Sequence, residues 1–276
     1  MMKKIIVVFS MFCITLSMYA SKVDTLLVHS EIMNKTIKNV IITPESYTNN
    51  GKAFSVVYML HGAGGNYAAW LGKAPDIKAY ADTYQVIIVC PDGAKTSWYF
   101  DSPIDDAMKY ETYISKELVS KIDKTYNTLA DSKHRAITGY SMGGHGALYL
   151  TFKHQDIWGA VASMSGGVDL RPFPKNWDLE KRLGVYATNQ ENWEQNTVIN
   201  MVHLLDGKDL KILFDCGVDD FFYDANVRLH KKLLERNIPH DYIERPGGHT
   251  NAYWSNSIKY HMVFFNDFFK ANLKTD

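Results

Sequence analysis

The chain has 276 residues, of which 46% are hydrophobic and 22% charged, a composition that is ordinary for a globular protein with a sizeable core. Its 30 basic and 30 acidic residues balance, and no dense cluster of lysine or arginine occurs. Because nucleic-acid binding relies on clustered cations that release counterions, we expect no nucleic-acid partner.

The first twenty residues have the layout of a secretory signal peptide. Lys3 and Lys4 give a positive start, residues 5–16 are mostly apolar, and small or polar residues follow around Ala20. That run is short for a bilayer crossing, and no later segment has the roughly 18 uninterrupted apolar residues of a membrane helix. We therefore predict cleavage near Ala20, a secreted or periplasmic location and no stable membrane association. The alternative is an uncleaved anchor, because Met18 is a poor residue before a cleavage site.

Residues 21–276 are expected to form a single α/β domain. Short runs rich in Val, Ile and Leu alternate with amphipathic stretches, which favours a mostly parallel sheet that is buried on both faces. The predicted strands are Val23–His29, Val40–Thr43, Ser55–Leu60, Val86–Cys90, Arg135–Thr138, Ala160–Met164, Lys211–Cys216 and His240–Arg245. Helical periodicity predicts helices at Tyr110–Tyr126, Gly144–His154, Ala225–Arg236 and Asn256–Leu273.

A Gly-x-Ser-x-Gly pentapeptide at residues 139–143 is the most informative motif. It follows a predicted strand and opens a predicted helix, which is the context of a nucleophile elbow, a sharp turn that lifts a serine hydroxyl clear of the sheet. Glycines flank Ser141 because side chains there would collide with the neighbouring strand and helix. The helix N-terminus adds unpaired amides and a positive dipole end, which favour an oxyanion close by. Ser141 is the predicted nucleophile.

A serine hydroxyl needs a base that takes its proton, and after such an elbow the acid and the base follow the serine in chain order. Most later histidines lie on predicted helices, where a surface or packing role is usual. His249 instead follows Gly247 and Gly248, directly after the last predicted strand. These glycines give the loop the freedom to place an imidazole beside Ser141, so His249 is the predicted base.

The acid is expected at the end of the preceding strand, where Lys211–Cys216 runs into Asp219 and Asp220. Either carboxylate could orient His249 and stabilise its imidazolium form. Spacing does not choose between them, and Asp215 is a weaker third candidate. An aspartate without a catalytic role at this position would be a turn or helix-capping residue.

An oxyanion hole is predicted from two backbone amides. One belongs to Met142, the residue after the nucleophile. The other is expected in the glycine-rich loop that follows the strand Ser55–Leu60, at Ala63 or Gly64, and we favour Ala63. A loop of this kind could instead bind phosphate, but the G-x-x-x-x-G-K-[ST] pattern is absent.

One stretch, Gly166–Asn200, interrupts the alternation of strands and helices. It is rich in Pro, Asn, Trp and charged residues and is too long for a simple connection. We interpret it as an excursion at the rim of the sheet that packs over the active site. The alternative is a solvated insertion without catalytic contact.

Several motifs together resemble the esterase D-type superfamily, which includes tributyrin, acetyl and feruloyl esterases, S-formylglutathione hydrolases and mycolyltransferases. The residues that carry the resemblance are Leu60–Asn66, Gly139–Leu148, Cys216–Phe222 and Gly247–Trp254, with weaker similarity at Trp98–Pro103 and Gly167–Pro174. The resemblance implies an α/β-hydrolase fold, with an open, mostly parallel sheet of about eight strands and helices on both faces.

The resemblance also implies residue roles. The family's acid lies in a G-x-x-D-x-F pattern, and the matching position here is Asp220 rather than Asp219. Many of its feruloyl and acetyl esterases carry an aromatic residue two positions after the histidine, where this chain has Asn251. In the implied fold, the strands that end at Cys90 and Cys216 are not neighbours, so two free thiols are expected instead of a disulfide.

These observations predict a serine esterase that needs no cofactor or metal. Its expected substrate is a small-molecule or oligosaccharide ester with an acetyl or feruloyl group, such as a plant polysaccharide fragment. Trp98, Trp193 and Trp254 are candidate platforms for a sugar or phenolic ring, with packing as the alternative for each. The alternatives in function are an acyltransferase with the same triad, an S-formylglutathione hydrolase-like thioesterase, which serves a cytosolic thiol pool and fits a signal peptide poorly, and a non-catalytic binding module.

Overall fold

The computed structural model describes residues 21–205, 207 and 209–273. The predicted signal peptide at residues 1–20 lies outside this part of the chain. Within the described residues, no helix combines the length and the apolar character that a bilayer crossing requires.

One eight-stranded sheet organises the molecule, in the order β1-β2-β4-β3-β5-β6-β7-β8. β2 runs antiparallel to both of its neighbours, and the pairs from β4 to β8 are parallel. The strands are β1 (Lys22–Ser30), β2 (Lys35–Thr43), β3 (Ser55–Leu60), β4 (Val86–Pro91), β5 (Arg135–Tyr140), β6 (Ala160–Met164), β7 (Lys211–Gly217) and β8 (Asp241–Arg245). The mostly parallel, eight-stranded architecture predicted from the sequence is confirmed.

The helices cover both faces of this sheet. They are α1 (Ala69–Lys73), α2 (Ile77–Tyr84), α3 (Tyr110–Thr112), which continues through a π-helical segment (Tyr113–Leu118) into α4 (Val119–Thr125), then α5 (Met142–Lys153), α6 (Leu179–Leu183), α7 (Gln190–Gln195), α8 (Tyr223–Glu235) and α9 (Asn251–Asn272). Short 3₁₀ turns occur at Ser132–His134, Tyr186–Thr188, Val198–Asn200 and Val202–Leu205.

Two apolar cores lie on opposite faces of the sheet. Successive side chains of a strand point to opposite faces, and in β3 Tyr58 belongs to one core while Val57 belongs to the other. The first core also receives Leu148 of α5 and Leu229 of α8. The second is closed by α1, α2 and α9, for example by Ile258 of α9. The central strands are therefore buried on both sides, and their carboxyl ends are held rigidly.

The two cysteines of the described chain are free and buried, as expected. Cys90 lies on β4 and Cys216 on β7, with three strands between them. Four inter-strand spacings place them about 19 Å apart, far beyond the reach of a disulfide.

Candidate active site

The turn at Ser141 joins β5 directly to α5. Its φ is +58°, a conformation that costs a non-glycine residue of order 1–3 kcal/mol and is typical of functional sites. The flanking glycines are required by close approach of the backbone. A Cβ on Gly139 would lie 2.4 Å from the carbonyl group of Gly143, and a Cβ on Gly143 would lie 2.4 Å from the oxygen of Leu60. The strained turn thus holds the serine at the carboxyl edge of the sheet.

Ser141, His249 and Asp220 form one chain of hydrogen bonds. Nε2 of His249 lies 2.9 Å from the Oγ of Ser141. Nδ1 of the same ring lies 2.9 Å from Oδ2 of Asp220 and 3.1 Å from its Oδ1. Ser141 and Asp220 are buried, and His249 is half-buried. This is the arrangement of nucleophile, base and orienting acid that serine hydrolases use.

The three candidate acids have different contacts in the structure. Asp220 contacts His249, and its Oδ1 also accepts a hydrogen bond of 2.9 Å from the amide of Phe222. Asp219 is exposed, and its amide donates to the carbonyl of Gly247 at 3.0 Å. Asp215 is buried and pairs with an arginine. The position that the family pattern indicated is therefore the one that meets the base.

The buried Asp215 and the half-buried Arg245 form an ion pair before the loops that carry the acid and the base. Nη2 of Arg245 lies 2.7 Å from Oδ2 of Asp215 and also contacts the hydroxyl of Ser257. The backbones above the pair are in tight contact, because a Cβ on Gly217 would lie 2.1 Å from the oxygen of Gly247. This ion pair was not predicted from the sequence, although a charged residue near the end of each strand is visible there.

The predicted oxyanion amides lie at the same edge. Within the described residues, the amides of Ala63 and Met142 donate to no backbone carbonyl, whereas the amide of Gly64 donates to the carbonyl of Lys95 at 2.8 Å. Gly62 brings this loop next to the nucleophile, since a Cβ there would lie 3.2 Å from Cβ of Ser141. The loop therefore leaves Ala63, and not Gly64, with a free donor.

All three tryptophans predicted to contact substrate are buried, and two of them are almost fully enclosed. Trp193 is fully buried, and its indole nitrogen donates to the carbonyl of Gly184 at 2.9 Å. Trp98 is 1% exposed and packs edge-on against His145. The prediction of a substrate platform is wrong for both, because their rings are enclosed by the protein.

The change Trp193→Ala is expected to lower the free energy of unfolding by about 3–5 kcal/mol, since it removes a large buried ring and leaves a cavity. Urea unfolding would measure this loss. Trp193→Phe, which keeps most of the volume and removes the indole hydrogen bond, should lose clearly less. A stability unchanged by Trp193→Ala would contradict the buried position.

Trp254 packs against the base. Its ring stacks on Tyr140 with centroids 4.5 Å apart and meets His249 edge-on at 5.0 Å. Lys73 lies over the Trp254 ring and donates to the side chain of Asn251, two positions after His249. Trp254 is 8% exposed, and its ring is enclosed between Tyr140, His249 and Lys73.

The excursion at residues 166–200 reaches the site through its aromatic residues. Trp177 stacks on Phe221 with centroids 5.8 Å apart and planes 20° apart. Phe221 in turn packs on His249 at 4.3 Å. Part of the excursion therefore supports a side chain that touches the predicted base.

His145 of α5 lies within hydrogen-bonding distance of two loops of the site. Its Nδ1 lies 3.0 Å from the carbonyl of Trp98, and its Nε2 lies 3.0 Å from the carbonyl of Asn196 in the excursion. A neutral imidazole carries a single N–H and can donate to one of these oxygens at a time. Burial lowers the pKa of His145 to about 4, although both carbonyls favour the protonated form.

Acid is expected to destabilise the fold through His145. The unfolded chain binds this proton near pH 6.5, whereas the folded chain binds it only near pH 4. Stability should therefore fall by about 2–3 kcal/mol between pH 7 and pH 4.5. Urea unfolding at both pH values measures this change. His145→Gln cannot titrate and should lose that part of the pH dependence; an equal dependence in the variant would argue against the assignment.

The chain is similar in sequence to known esterases. The model of the family called Esterase matches residues 30–264. The chain is 26% identical over 236 residues to an esterase of Mycobacterium tuberculosis (strain CDC 1551), a match covering 76% of this chain and 52% of the relative. It thus spans about half the length of the first relatives that it matches.

Two further similarities cover most of both partners. An acetyl esterase of Caldicellulosiruptor saccharolyticus is 26% identical over 223 residues, which covers 73% of this chain and 79% of the relative. The solved structure of a ferulic acid esterase superimposes with a TM-score of 0.79 at 27% identity, covering 91% of this chain and 99% of the other. The predicted resemblance to esterase D-type enzymes is confirmed. From its fold, its elbow and the family match, the chain belongs to the Esterase family of α/β-hydrolases.

Proposed function

We propose that this chain hydrolyses carboxylic esters, with Ser141 as nucleophile, His249 as general base and Asp220 as the acid that orients the base. The observation that carries the proposal is the hydrogen-bond path from Ser141 through His249 to Asp220, at 2.9 Å in each step. A neutral imidazole held in this way has its lone pair on Nε2, where it can accept the serine proton. The family match supports the same reaction.

In the first half of the reaction, Oγ of Ser141 attacks the ester carbonyl carbon while Nε2 of His249 takes its proton. The amides of Met142 and Ala63 stabilise the oxyanion. The bond to the alcohol oxygen then breaks, and the alcohol takes the proton from His249. Water repeats the sequence on the acyl-enzyme and releases the acid. No cofactor is required in this scheme.

The substrate that we propose is an acetyl or feruloyl ester of a plant polysaccharide fragment, hydrolysed outside the cytoplasm. Similarity to an acetyl esterase and to a ferulic acid esterase supports the choice of acyl group. The charged and apolar layout of residues 1–20 supports export. The protein would meet its small-molecule or oligosaccharide substrate as a free enzyme, without a nucleic-acid or membrane partner.

A short acyl group is favoured by the apolar surface near the triad. Among large apolar side chains that are exposed in the described residues, Val218 and Phe221 are the two on the loop that carries Asp220. A long acyl chain needs a continuous groove, since each buried methylene contributes only about 0.8 kcal/mol. Two side chains on one loop supply little of that surface.

We therefore expect kcat/KM for p-nitrophenyl esters to fall at least about tenfold between butyrate and decanoate. Initial rates on acetate, butyrate and decanoate esters, together with methyl ferulate and acetylated xylan, measure this preference. A preference for decanoate would overturn the short-acyl proposal while leaving ester hydrolysis intact. Absence of hydrolysis on all of these substrates would overturn the proposed function itself.

A further inference from the structure

Three aromatic rings border the imidazole of His249. Phe221 lies closest, with centroids 4.3 Å apart and planes 39° apart, followed by Trp254 at 5.0 Å and Phe222 at 5.5 Å. Phe222 and Trp254 are buried, whereas Phe221 is 51% exposed. A molecule that approaches the imidazole from solvent on this side therefore meets the ring of Phe221. The sequence alone does not indicate a role for Phe221, because the G-x-x-D-x-F pattern leaves its position open.

Three aromatic side chains hold the ring of Phe221 in place. It stacks on Trp177, and Phe173 and Phe222 meet it edge-on at 6.2 and 4.6 Å. A large ring fixed by neighbours binds a partner with little loss of side-chain entropy. Phe221 is thus about half exposed to solvent, while three aromatic rings pack against the rest of its side chain.

The backbone beneath this ring is strained. Trp177 and Asp178 both have left-handed φ angles, +47° and +56°. The carbonyl of Trp177 accepts a hydrogen bond of 3.3 Å from the indole of Trp98, and the carboxylate of Asp178 accepts one of 3.1 Å from Thr96. Strain of this kind costs of order 1–3 kcal/mol per residue and persists where surrounding contacts enforce it. Here those contacts keep Trp177 under Phe221.

The chemistry of the reaction decides which half of the ester lies against this ring. The alcohol oxygen must receive its proton from Nε2 of His249, so the alcohol leaves on the side of the imidazole. The carbonyl oxygen points instead toward the amides of Met142 and Ala63. Because Phe221 packs on the imidazole, it borders the path of the leaving alcohol.

We propose that Phe221, supported by Trp177, forms the binding surface for the alcohol half of the substrate and selects cyclic alcohols with an apolar face, such as a pyranose. This inference rests on the proposed ester hydrolysis and assigns a specificity to one side of the same site. A planar aromatic ring presents a broad apolar surface that a sugar ring can cover while its hydroxyl groups stay hydrated. Trp98 and Trp193, two of the three tryptophans that were candidate platforms for a sugar or phenolic ring, are enclosed by the protein.

The test keeps the acyl group constant and varies the alcohol. Kinetics on ethyl acetate, cyclohexyl acetate and a methyl xyloside monoacetate would be compared for the wild type and Phe221→Ala. We expect kcat/KM to fall about tenfold or more on the two cyclic substrates, which corresponds to about 1.4 kcal/mol of lost transition-state stabilisation, and less than about twofold on ethyl acetate. Val218→Ala, at an exposed position of the same loop, should leave all three rates near those of the wild type.

Other patterns would overturn the proposal in distinguishable ways. An equal loss on all three acetates would mean that Phe221 acts through the position of His249 and not through the alcohol. A loss larger on methyl ferulate than on methyl acetate would place the ring on the acyl side. Phe221→Tyr, which keeps the ring, should retain the cyclic preference; its loss in this variant would also count against the platform. Failure of the wild type to hydrolyse any ester would overturn the proposed function instead.

Discussion

Replacing Ser141 by alanine is expected to lower kcat for p-nitrophenyl acetate by about 10⁴-fold or more while the protein stays folded. The change removes one oxygen atom, the Oγ that lies 2.9 Å from Nε2 of His249. Alanine has the same Cβ, so the left-handed backbone at this position, with φ of +58°, carries similar strain in both proteins. Steady-state kinetics measures the loss, and urea unfolding measured in parallel confirms that the fold remains.

A matched control is available on the adjacent strand. Ser163 lies in β6 beside Gly139 of β5 and is buried, and its hydroxyl has no hydrogen-bond partner among the described residues. Ser163→Ala should keep kcat within about tenfold of the wild type, because the hydroxyl of Ser163 makes no hydrogen bond to His249. Activity of Ser141→Ala within tenfold of the wild type would exclude Ser141 as the nucleophile.

The second large effect is expected at the acid, where Asp220→Asn should lower kcat by about 10³–10⁴-fold. Oδ1 of Asp220 accepts from the amide of Phe222, so an asparagine would place its carbonyl oxygen there and turn its NH₂ group toward Nδ1 of His249. A donor at that position favours the tautomer with its proton on Nε2, which cannot accept the serine proton. Kinetics on p-nitrophenyl acetate would show the loss in kcat.

Asp219→Asn provides the comparison, because the side chain is exposed and Asp219 touches the loop of His249 through its backbone. Its kcat should stay within about tenfold of the wild type. If Asp219→Asn were the more damaging change, the acid would have been misassigned by one residue.

The strands and the elbow could be predicted because their signals are local. The apolar runs of β3 and β6 begin and end where the sequence indicated, Ser55–Leu60 and Ala160–Met164. β5 continues to Tyr140, two residues beyond its predicted end, because Tyr140 still pairs with Met164 of β6. The short helices α1, α2, α6 and α7 were missed, since segments of five to eight residues carry too few turns to show a helical period.

Spacing along the sequence could not decide which of several similar side chains acts in the site. Spacing does not distinguish Asp219 from Asp220, and the different partners of these residues and of Asp215 become visible only when β8 is placed beside β7. The predictions for Trp98 and Trp193 were wrong for the same reason. Trp193 is satisfied by the carbonyl of Gly184, nine residues away across the excursion, a contact that no periodicity records. Phe221 became a candidate only once its exposure and its contact with His249 were known.

The ion pair of Asp215 and Arg245 affects how this site can diversify. The pair joins the ends of β7 and β8, a few residues before Asp220 and His249. The separation of acid and base is thereby set within the sheet, below the segments that face the substrate. An exposed residue at a loop tip, such as Phe221, can then be exchanged at little cost to proton transfer. A scaffold of this kind can acquire new alcohol preferences by single substitutions while its catalytic geometry stays constant.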